Sequence, residues 1–145
     1  MTERETLPAP LAAAADDHPS RRQLLKGAAA LGATAATAGF KVITLTLEDN
    51  GYPSLEQLKA AVSDRTAALM IGNPDDMGIY NPDIKEWVRI VHEAGGLCFY
   101  DHANFNGVMG KLRARELGFD ACMYMLHKTF GAPKGGNGPS VGAYG

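Results

Sequence analysis

An amide, a carboxylate and an amine each follow a short apolar segment in this 145-residue chain, at Asn73, Asp101 and Lys128. Continuous apolar runs of this length are typical of strands that are buried on both faces of a parallel sheet. In such a sheet the carboxyl ends of the strands meet at one edge, and ligands bind there. We therefore expect these three side chains to converge, although they lie far apart in the sequence.

The three side chains suit a site for pyridoxal phosphate. The amine of Lys128 could bond covalently to the cofactor aldehyde, and the carboxylate of Asp101 could keep the ring nitrogen protonated, so that the ring accepts electrons. Asn73 could donate a hydrogen bond to the phenolic oxygen, and the small Ala103 would leave room for the ring face. Taken singly, these residues have simpler interpretations as a cap, a turn and a solvated charge. Their order at successive predicted strand ends favours the cofactor.

The chain from Lys41 onward alternates predicted strands and helices, which must position these residues. Strands are predicted at four apolar or β-branched segments, Val42–Leu47, Ala67–Ile71, Leu97–Tyr100 and Ala121–Leu126. Helices are predicted after the Ser54–Gln57 capping box, after Asn81-Pro82-Asp83 with a buried stripe of Ile84, Trp87, Val88 and Val91, and over Ala114–Leu117. This alternation predicts an α/β fold in which a mainly parallel sheet carries helices on its faces.

The first 40 residues differ in composition from the remainder. Residues 1–19 are rich in Pro and Ala and are predicted to be disordered. The pair Arg21-Arg22, a weakly apolar stretch and two Ala-x-Ala sites resemble a twin-arginine export signal. An alanine-rich helix that leads into the strand at Lys41 is an equally good interpretation. We divide the chain into a signal-like leader, 1–33, and a partial domain, 34–145.

Composition and charge limit the classes of partner. The net charge of −2 predicts no broad attraction to nucleic acid or to an anionic membrane. No apolar run is long enough to span a bilayer. Cys98 and Cys122 lack the spacing of a Cys/His metal motif, so we interpret them as small apolar core residues, and we predict neither a metal site nor a disulfide.

Three motifs resemble the P-protein of the glycine cleavage system, glycine dehydrogenase (decarboxylating), and in particular the second subunit of its split bacterial form. They are DHANFNG at 101–107, LHKTF at 126–130 and PKGGNGP at 133–139. The segments 71–74 and 91–96 are similar to the same family, whose members usually have Gly where this chain has His102. The resemblance covers roughly residues 34–145.

The resemblance implies part of the large domain of a fold-type-I pyridoxal-phosphate enzyme. It implies that Lys128 is the Schiff-base lysine, that Asp101 is the ring-nitrogen partner, and that His127 and Thr129 flank the cofactor. The loop 135–138 would border the active site. The implied reaction is decarboxylation of glycine with transfer of the aminomethyl group to the lipoyl arm of H-protein, in the cytoplasm and together with the other P-protein subunit.

Family members extend beyond the matched region on both sides, so we expect an incomplete copy that is inactive by itself. Two other functions remain open. The chain could be another fold-type-I enzyme, related to aminotransferases or cysteine desulfurases. It could also be a non-catalytic fragment that is exported through the signal at Arg21-Arg22.

Overall fold

The computed structural model describes residues 23–26, 32–135 and 141–145. Within these residues the chain forms six strands and four helices. In chain order they are β1 (Gln23–Lys26), α1 (Gly32–Thr37), β2 (Lys41–Thr44), α2 (Leu55–Ala61), β3 (Thr66–Gly72), α3 (Ile84–Glu93), β4 (Leu97–His102), α4 (Ala114–Leu117), β5 (Ala121–Met125) and β6 (Gly142–Tyr144).

All six strands belong to one sheet with the order β2-β1-β3-β4-β5-β6. Every neighbouring pair is parallel except β5 and β6, which are antiparallel. The predicted mainly parallel sheet is therefore confirmed. Asp101 pairs with Gly72 on one side and with Met123 on the other. This register brings the carboxyl ends of β3, β4 and β5 to the same edge of the sheet.

Helix α2 begins with a side-chain cap, whereas Asp83 before α3 and Arg113 before α4 make no side-chain cap hydrogen bond. The Ser54 hydroxyl accepts a hydrogen bond from the backbone N–H of Gln57 at 3.3 Å, which caps α2. The Gln57 side chain does not complete the capping box, because it donates to Glu48 instead. Helix α3 packs against the sheet with its predicted apolar stripe, and all four residues of that stripe are buried: Ile84, Trp87, Val88 and Val91.

The core lies between the helices and one face of the central strands. Its fully buried side chains include Trp87 of α3, Leu58 of α2, Leu69 of β3 and Tyr100 of β4. Cys98 and Cys122 are buried in the core, as predicted. Burial of apolar side chains is the main stabilising contribution to such a fold, about 1.5 to 3 kcal/mol for each large side chain.

The turn between α3 and β4 depends on two glycines. Gly95 adopts φ of +82°, which is strained for any residue with a side chain. A Cβ atom at Gly96 would lie 2.9 Å from Cγ1 of Val91 and 3.2 Å from the backbone oxygen of Thr66. The chain can therefore reverse tightly here and bring the end of α3 beside the start of β4.

The structure differs from the prediction at the edges of the elements. Strand β2 stops at Thr44, and β4 continues to His102, so that Asp101 lies within the strand rather than after it. Strands β1 and β6 are not apparent in the sequence, because each is short and depends on hydrogen bonds from neighbouring strands.

The alanine-rich segment forms a helix over Gly32–Thr37, which agrees with the second interpretation of that segment. The division of the chain at residue 33 stays a prediction, and residues 1–22 lie outside the described part. Strand β1 lies within the predicted leader and nevertheless pairs in the sheet of the domain. No helix among the described residues has the length and apolarity that a membrane span requires.

Candidate active site

A cavity of about 410 Å³ opens at the carboxyl edge of β3, β4 and β5. Its lining contains three of the predicted site residues, Lys128, Asp101 and Ala103. The remaining lining residues come from the ends of β3 and β4 and from the loops that follow them: Gly72, Pro74, Asp75, Asp76, Gly78, Asn104 and Gly107. The strand ends thus bring an amine and several carboxylates together, as a parallel sheet requires.

Lys128 lies in the turn that follows β5. Its backbone N–H donates to the carbonyl of Met125, the last residue of the strand, at 3.2 Å. The side chain is exposed and forms no ion pair with a described residue. The side-chain nitrogen is therefore held at the cavity by its backbone position and has no ion-pair partner among the described residues.

Asp101 is fixed by its own loop. One carboxylate oxygen, Oδ1, accepts a hydrogen bond from the backbone N–H of Ala103 at 2.8 Å. The other oxygen makes no hydrogen bond with any residue in the described ranges. The carboxylate therefore has a defined orientation at the cavity and one oxygen that is free for a ligand. The small side chain of Ala103 lies next to it.

Asn73 has a different role from the expected one. Its side-chain oxygen accepts from the backbone N–H of Asn81 at 2.8 Å, and its amide nitrogen donates to the carbonyl of Asn81 at 3.1 Å. The side chain is buried and does not line the cavity. Asn73 therefore closes the loop 74–80, which forms one wall of the cavity, instead of offering its amide to a ligand.

The loop 74–80 is also ordered from within. The side chain of Asp75 accepts hydrogen bonds from the backbone N–H groups of Met77 and Ile79, both at 2.9 Å. The backbone of Asp75 bonds to Ile79 and Gly78. These bonds preform the loop and hold Asp75 and Asp76 at the cavity.

His127 and Thr129, which flank Lys128, do not line the cavity. The Thr129 hydroxyl accepts a hydrogen bond from the backbone N–H of Phe105 at 3.0 Å, and so joins the Lys128 turn to the loop after β4. Nδ1 of His127 is buried and has no hydrogen-bond partner among the described residues. Of the predicted loop 135–138, only Gly135 lies within the described residues.

His102 lies on the face of β4 opposite Asp101, because successive residues of a strand alternate. Its ring stacks on Tyr124 with 5.4 Å between ring centroids and also contacts Tyr100 and Phe105. Burial lowers the pKa of His102 to about 4, and the neighbouring charge of Asp101 opposes this shift. His102 is therefore a neutral aromatic residue of the core at neutral pH.

Two acidic residues of the cavity, Asp75 and Asp76, were not predicted from the sequence. Their position directly after Asn73-Pro74 was a usable signal, because a loop that follows a buried strand lies at the ligand edge. With Asp101 they place three carboxylates around the single ammonium of Lys128. The described lining is therefore acidic overall.

About half of the aligned residues are identical between this chain and the curated relatives that it matches. The probable glycine dehydrogenase (decarboxylating) subunit 2 of Pyrococcus furiosus is 48% identical over 130 residues, which are 88% of this chain and 26% of that protein. The proteins of the same name from Pyrococcus abyssi and Staphylococcus epidermidis are 52% and 49% identical over 113 residues, 78% of this chain and 22% of each relative. The chain thus spans about a quarter of the length of these relatives.

Solved structures show a similar fold at low sequence identity. A cysteine desulfurase from Escherichia coli matches with a TM-score of 0.67 at 21% identity, over 86% of this chain and 31% of that one. A methionine gamma-lyase from Micromonospora echinospora matches with a TM-score of 0.65 at 21% identity, over 85% and 32%. These matches confirm the predicted fold, part of the large domain of fold-type-I pyridoxal-phosphate enzymes.

Residues 18–38 match the family described as the TAT (twin-arginine translocation) pathway signal sequence. The relatives named above match up to 88% of the chain at about half identity, so their alignment overlaps the signal match. Over most of its length the chain is therefore similar to glycine dehydrogenase (decarboxylating) subunit 2, of which it matches about a quarter.

Proposed function

We propose that this chain carries the lysine and the ring-nitrogen partner of a pyridoxal-phosphate site for the decarboxylation of glycine. One observation carries the proposal: Lys128 and Asp101 line the same cavity in a chain that is about half identical to glycine dehydrogenase subunit 2. The aminomethyl product would pass to the lipoyl arm of H-protein. The other P-protein subunit would act as partner, because the relatives are named as second subunits.

The residues at the cavity fit the reactive part of the cofactor. A volume of about 410 Å³ lies within the usual range of small-molecule sites. Lys128 offers a free amine, Asp101 offers a free carboxylate oxygen, and Ala103 leaves space beside it. Lys128 is the only cation of the described lining, so the cofactor phosphate would need groups from outside these residues.

When bound, pyridoxal phosphate supplies a protonated ring that delocalises the electron pair left by the departing carboxylate. The residues of this chain hold that ring in place. Lys128 would hold the cofactor covalently, and its amine would serve as a base beside the substrate. Asp101 would hold the proton on the ring nitrogen, and the hydrogen bond from Ala103 keeps its carboxylate oriented. The loop 74–80 would contribute a wall of the site through Pro74, Asp75, Asp76 and Gly78.

Borohydride reduction in the presence of pyridoxal phosphate, followed by peptide mapping, tests the attachment. We expect the label on Lys128, and we expect its loss in Lys128→Arg. Lys85→Arg on the outer side of α3 is the matched control and should label as the unchanged chain does. A label on Lys134 instead of Lys128, or no label on any peptide, would contradict the assignment.

The alternative within the same fold is transamination or desulfuration, because a cysteine desulfurase and an aminotransferase from Streptococcus suis share the fold. Glycine-dependent exchange of labelled CO₂ separates these reactions. The chain would be assayed with lipoylated H-protein and the partner subunit. Exchange that depends on Lys128 supports glycine decarboxylation, whereas production of a keto acid without exchange supports an aminotransferase.

We further propose that residues 18–38 direct export, since they match a twin-arginine signal. Fusion of residues 1–40 to a reporter that is active only after twin-arginine export tests this. We expect export that is lost in the double variant Arg21→Lys, Arg22→Lys. Export of neither fusion would favour the cytoplasmic location that the relatives' reaction implies, and equal export of both would show that Arg21 and Arg22 do not direct it.

A further inference from the structure

Three side chains with metal-binding atoms meet at the amino edge of the sheet, opposite Lys128. His92 lies in the last turn of α3, Cys98 is the second residue of β4, and Asp120 directly precedes β5. A ring nitrogen of His92, Sγ of Cys98 and a carboxylate oxygen of Asp120 all lie within 4.8 Å of one another. They come from three separate elements, which explains why the sequence spacing gave no sign of the group.

The backbone holds these elements in place independently of any ligand. The N–H of Cys98 donates to Oδ2 of Asp120 at 2.6 Å, and the N–H of Asp120 donates to the carbonyl of Cys98 at 2.9 Å. The close packing of Gly96 on Val91 and Thr66 fixes the turn between His92 and Cys98. The three donor atoms are therefore preorganised.

The exposure of the group suits entry of an ion from solvent. The side chains of His92 and Asp120 are each 37% exposed, whereas Cys98 is buried. Nε2 of His92 and Oδ2 of Asp120 are 2.8 Å apart and share a hydrogen bond. A metal ion could take the place of the proton in this hydrogen bond, because Nε2 of His92 and Oδ2 of Asp120 would then both be ligands of the ion.

The chemistry of the group also suits a cation. Asp120 supplies a carboxylate donor, and Cys98 would bind a divalent ion through its thiolate, with release of the thiol proton. The neighbouring Glu93 is already paired with Arg89.

We propose that His92, Cys98 and Asp120 bind a zinc-type divalent transition-metal ion. One nitrogen, one sulfur and one carboxylate oxygen form a donor set that suits Zn²⁺, with a fourth tetrahedral position left for water. The ion would join the end of α3 to the starts of β4 and β5. The site is independent of the proposed cofactor chemistry, because β4 separates Cys98 at its start from Asp101 near its end.

Titration of the 145-residue chain with Co²⁺, which reports tetrahedral thiolate ligation by its absorption, tests the proposal. We expect a thiolate-to-cobalt charge-transfer band that saturates at one equivalent and disappears when Zn²⁺ is added. Zn²⁺ should also raise the melting temperature. Cys98→Ser should abolish the band, while Cys122→Ser, a matched change at the other buried cysteine, should keep it.

His92→Gln and Asp120→Asn test the two exposed ligands, where a change of side chain disturbs the core least. Each should weaken Co²⁺ binding by about tenfold or more, because even changes outside the first coordination shell reach that size. Absence of a thiolate band in the folded, unaltered chain would overturn the proposal. A band that survives Cys98→Ser and is lost in Cys122→Ser would also overturn it.

Discussion

The hydroxyl of Tyr100 donates a hydrogen bond to the backbone carbonyl of Asn73, and it thereby joins the middle of β4 to the end of β3. Tyr100 is fully buried, and burial raises its pKa. The side chain of Asn73 in turn closes the loop that forms a wall of the cavity. A single buried hydroxyl therefore supports the geometry of the candidate site from within the core.

Tyr100→Phe should lower the free energy of unfolding by about 1 to 3 kcal/mol, because the buried carbonyl of Asn73 loses its partner while the ring remains. Urea denaturation measures the change. Tyr144→Phe, at a side chain that is 73% exposed, is the control and should have almost no effect. Equal stability of both variants would show that the hydrogen bond contributes little.

Asn73→Ala should open the loop 74–80, because two hydrogen bonds to the backbone of Asn81 are lost. We expect faster hydrogen exchange at the amide of Asn81 and a loss of stability of about 1 to 3 kcal/mol. Asn104→Ala, at an exposed residue of the same cavity, should leave that amide protected. Unchanged exchange in Asn73→Ala would mean that Asp75 alone orders the loop.

Gly96→Ala should destabilise the chain by about 1 to 3 kcal/mol, since the new Cβ would overlap Val91 and approach the backbone of Thr66. Thermal or urea unfolding measures the loss. Gly131→Ala provides the matched control, because no atom lies within 4 Å of the Cβ position there. An unchanged free energy of unfolding in Gly96→Ala would show that the turn accommodates the Cβ atom without loss of stability.

Stability should fall as the pH drops from about 6.5 to about 4, because His102 takes up a proton in the unfolded chain but not in the folded one. Its contribution is fully present above pH 6.5 and is lost by pH 4, with an upper limit of about 3 kcal/mol. Urea midpoints across this range measure the slope.

Two variants assign this slope. His102→Phe should flatten it, because the ring packing remains and the titrating group is gone. Asp120→Asn should leave the slope unchanged, since the pKa of Asp120 lies below the usual 3.8 and this carboxyl group titrates at lower pH. A slope that persists in His102→Phe would assign the pH dependence to another group.

Much of the fold was accessible from the sequence, because its signals were periodic and local. The stripe of α3 from Ile84 to Val91 and the apolar runs of β3 and β5 follow directly from side-chain spacing. From the parallel order of the strands, the meeting of Asp101 and Lys128 at one edge could also be deduced. These features depend on backbone topology rather than on side-chain detail.

The remaining features depend on contacts that no local pattern encodes. The amide of Asn73 could serve a ligand or a loop, and only the position of Asn81 decides between them. The group formed by His92, Cys98 and Asp120 comes from the end of a helix, the start of a strand and a loop, which meet only in the folded chain. Strand β1 is four residues long and forms because β2 and β3 offer hydrogen bonds on both sides.

Strand β1 lies inside the stretch that matches an export signal, residues 18–38. A translocation receptor needs this stretch as an accessible peptide, whereas the sheet uses it as an interior strand. Cleavage at Ala33-Thr34-Ala35 or at Ala36-Thr37-Ala38 would remove β1 and leave the edge of β3 unpaired. If residues 18–38 direct export as proposed, a molecule with the six-stranded sheet would have β1 of its signal buried in that sheet, and a processed molecule would lack β1.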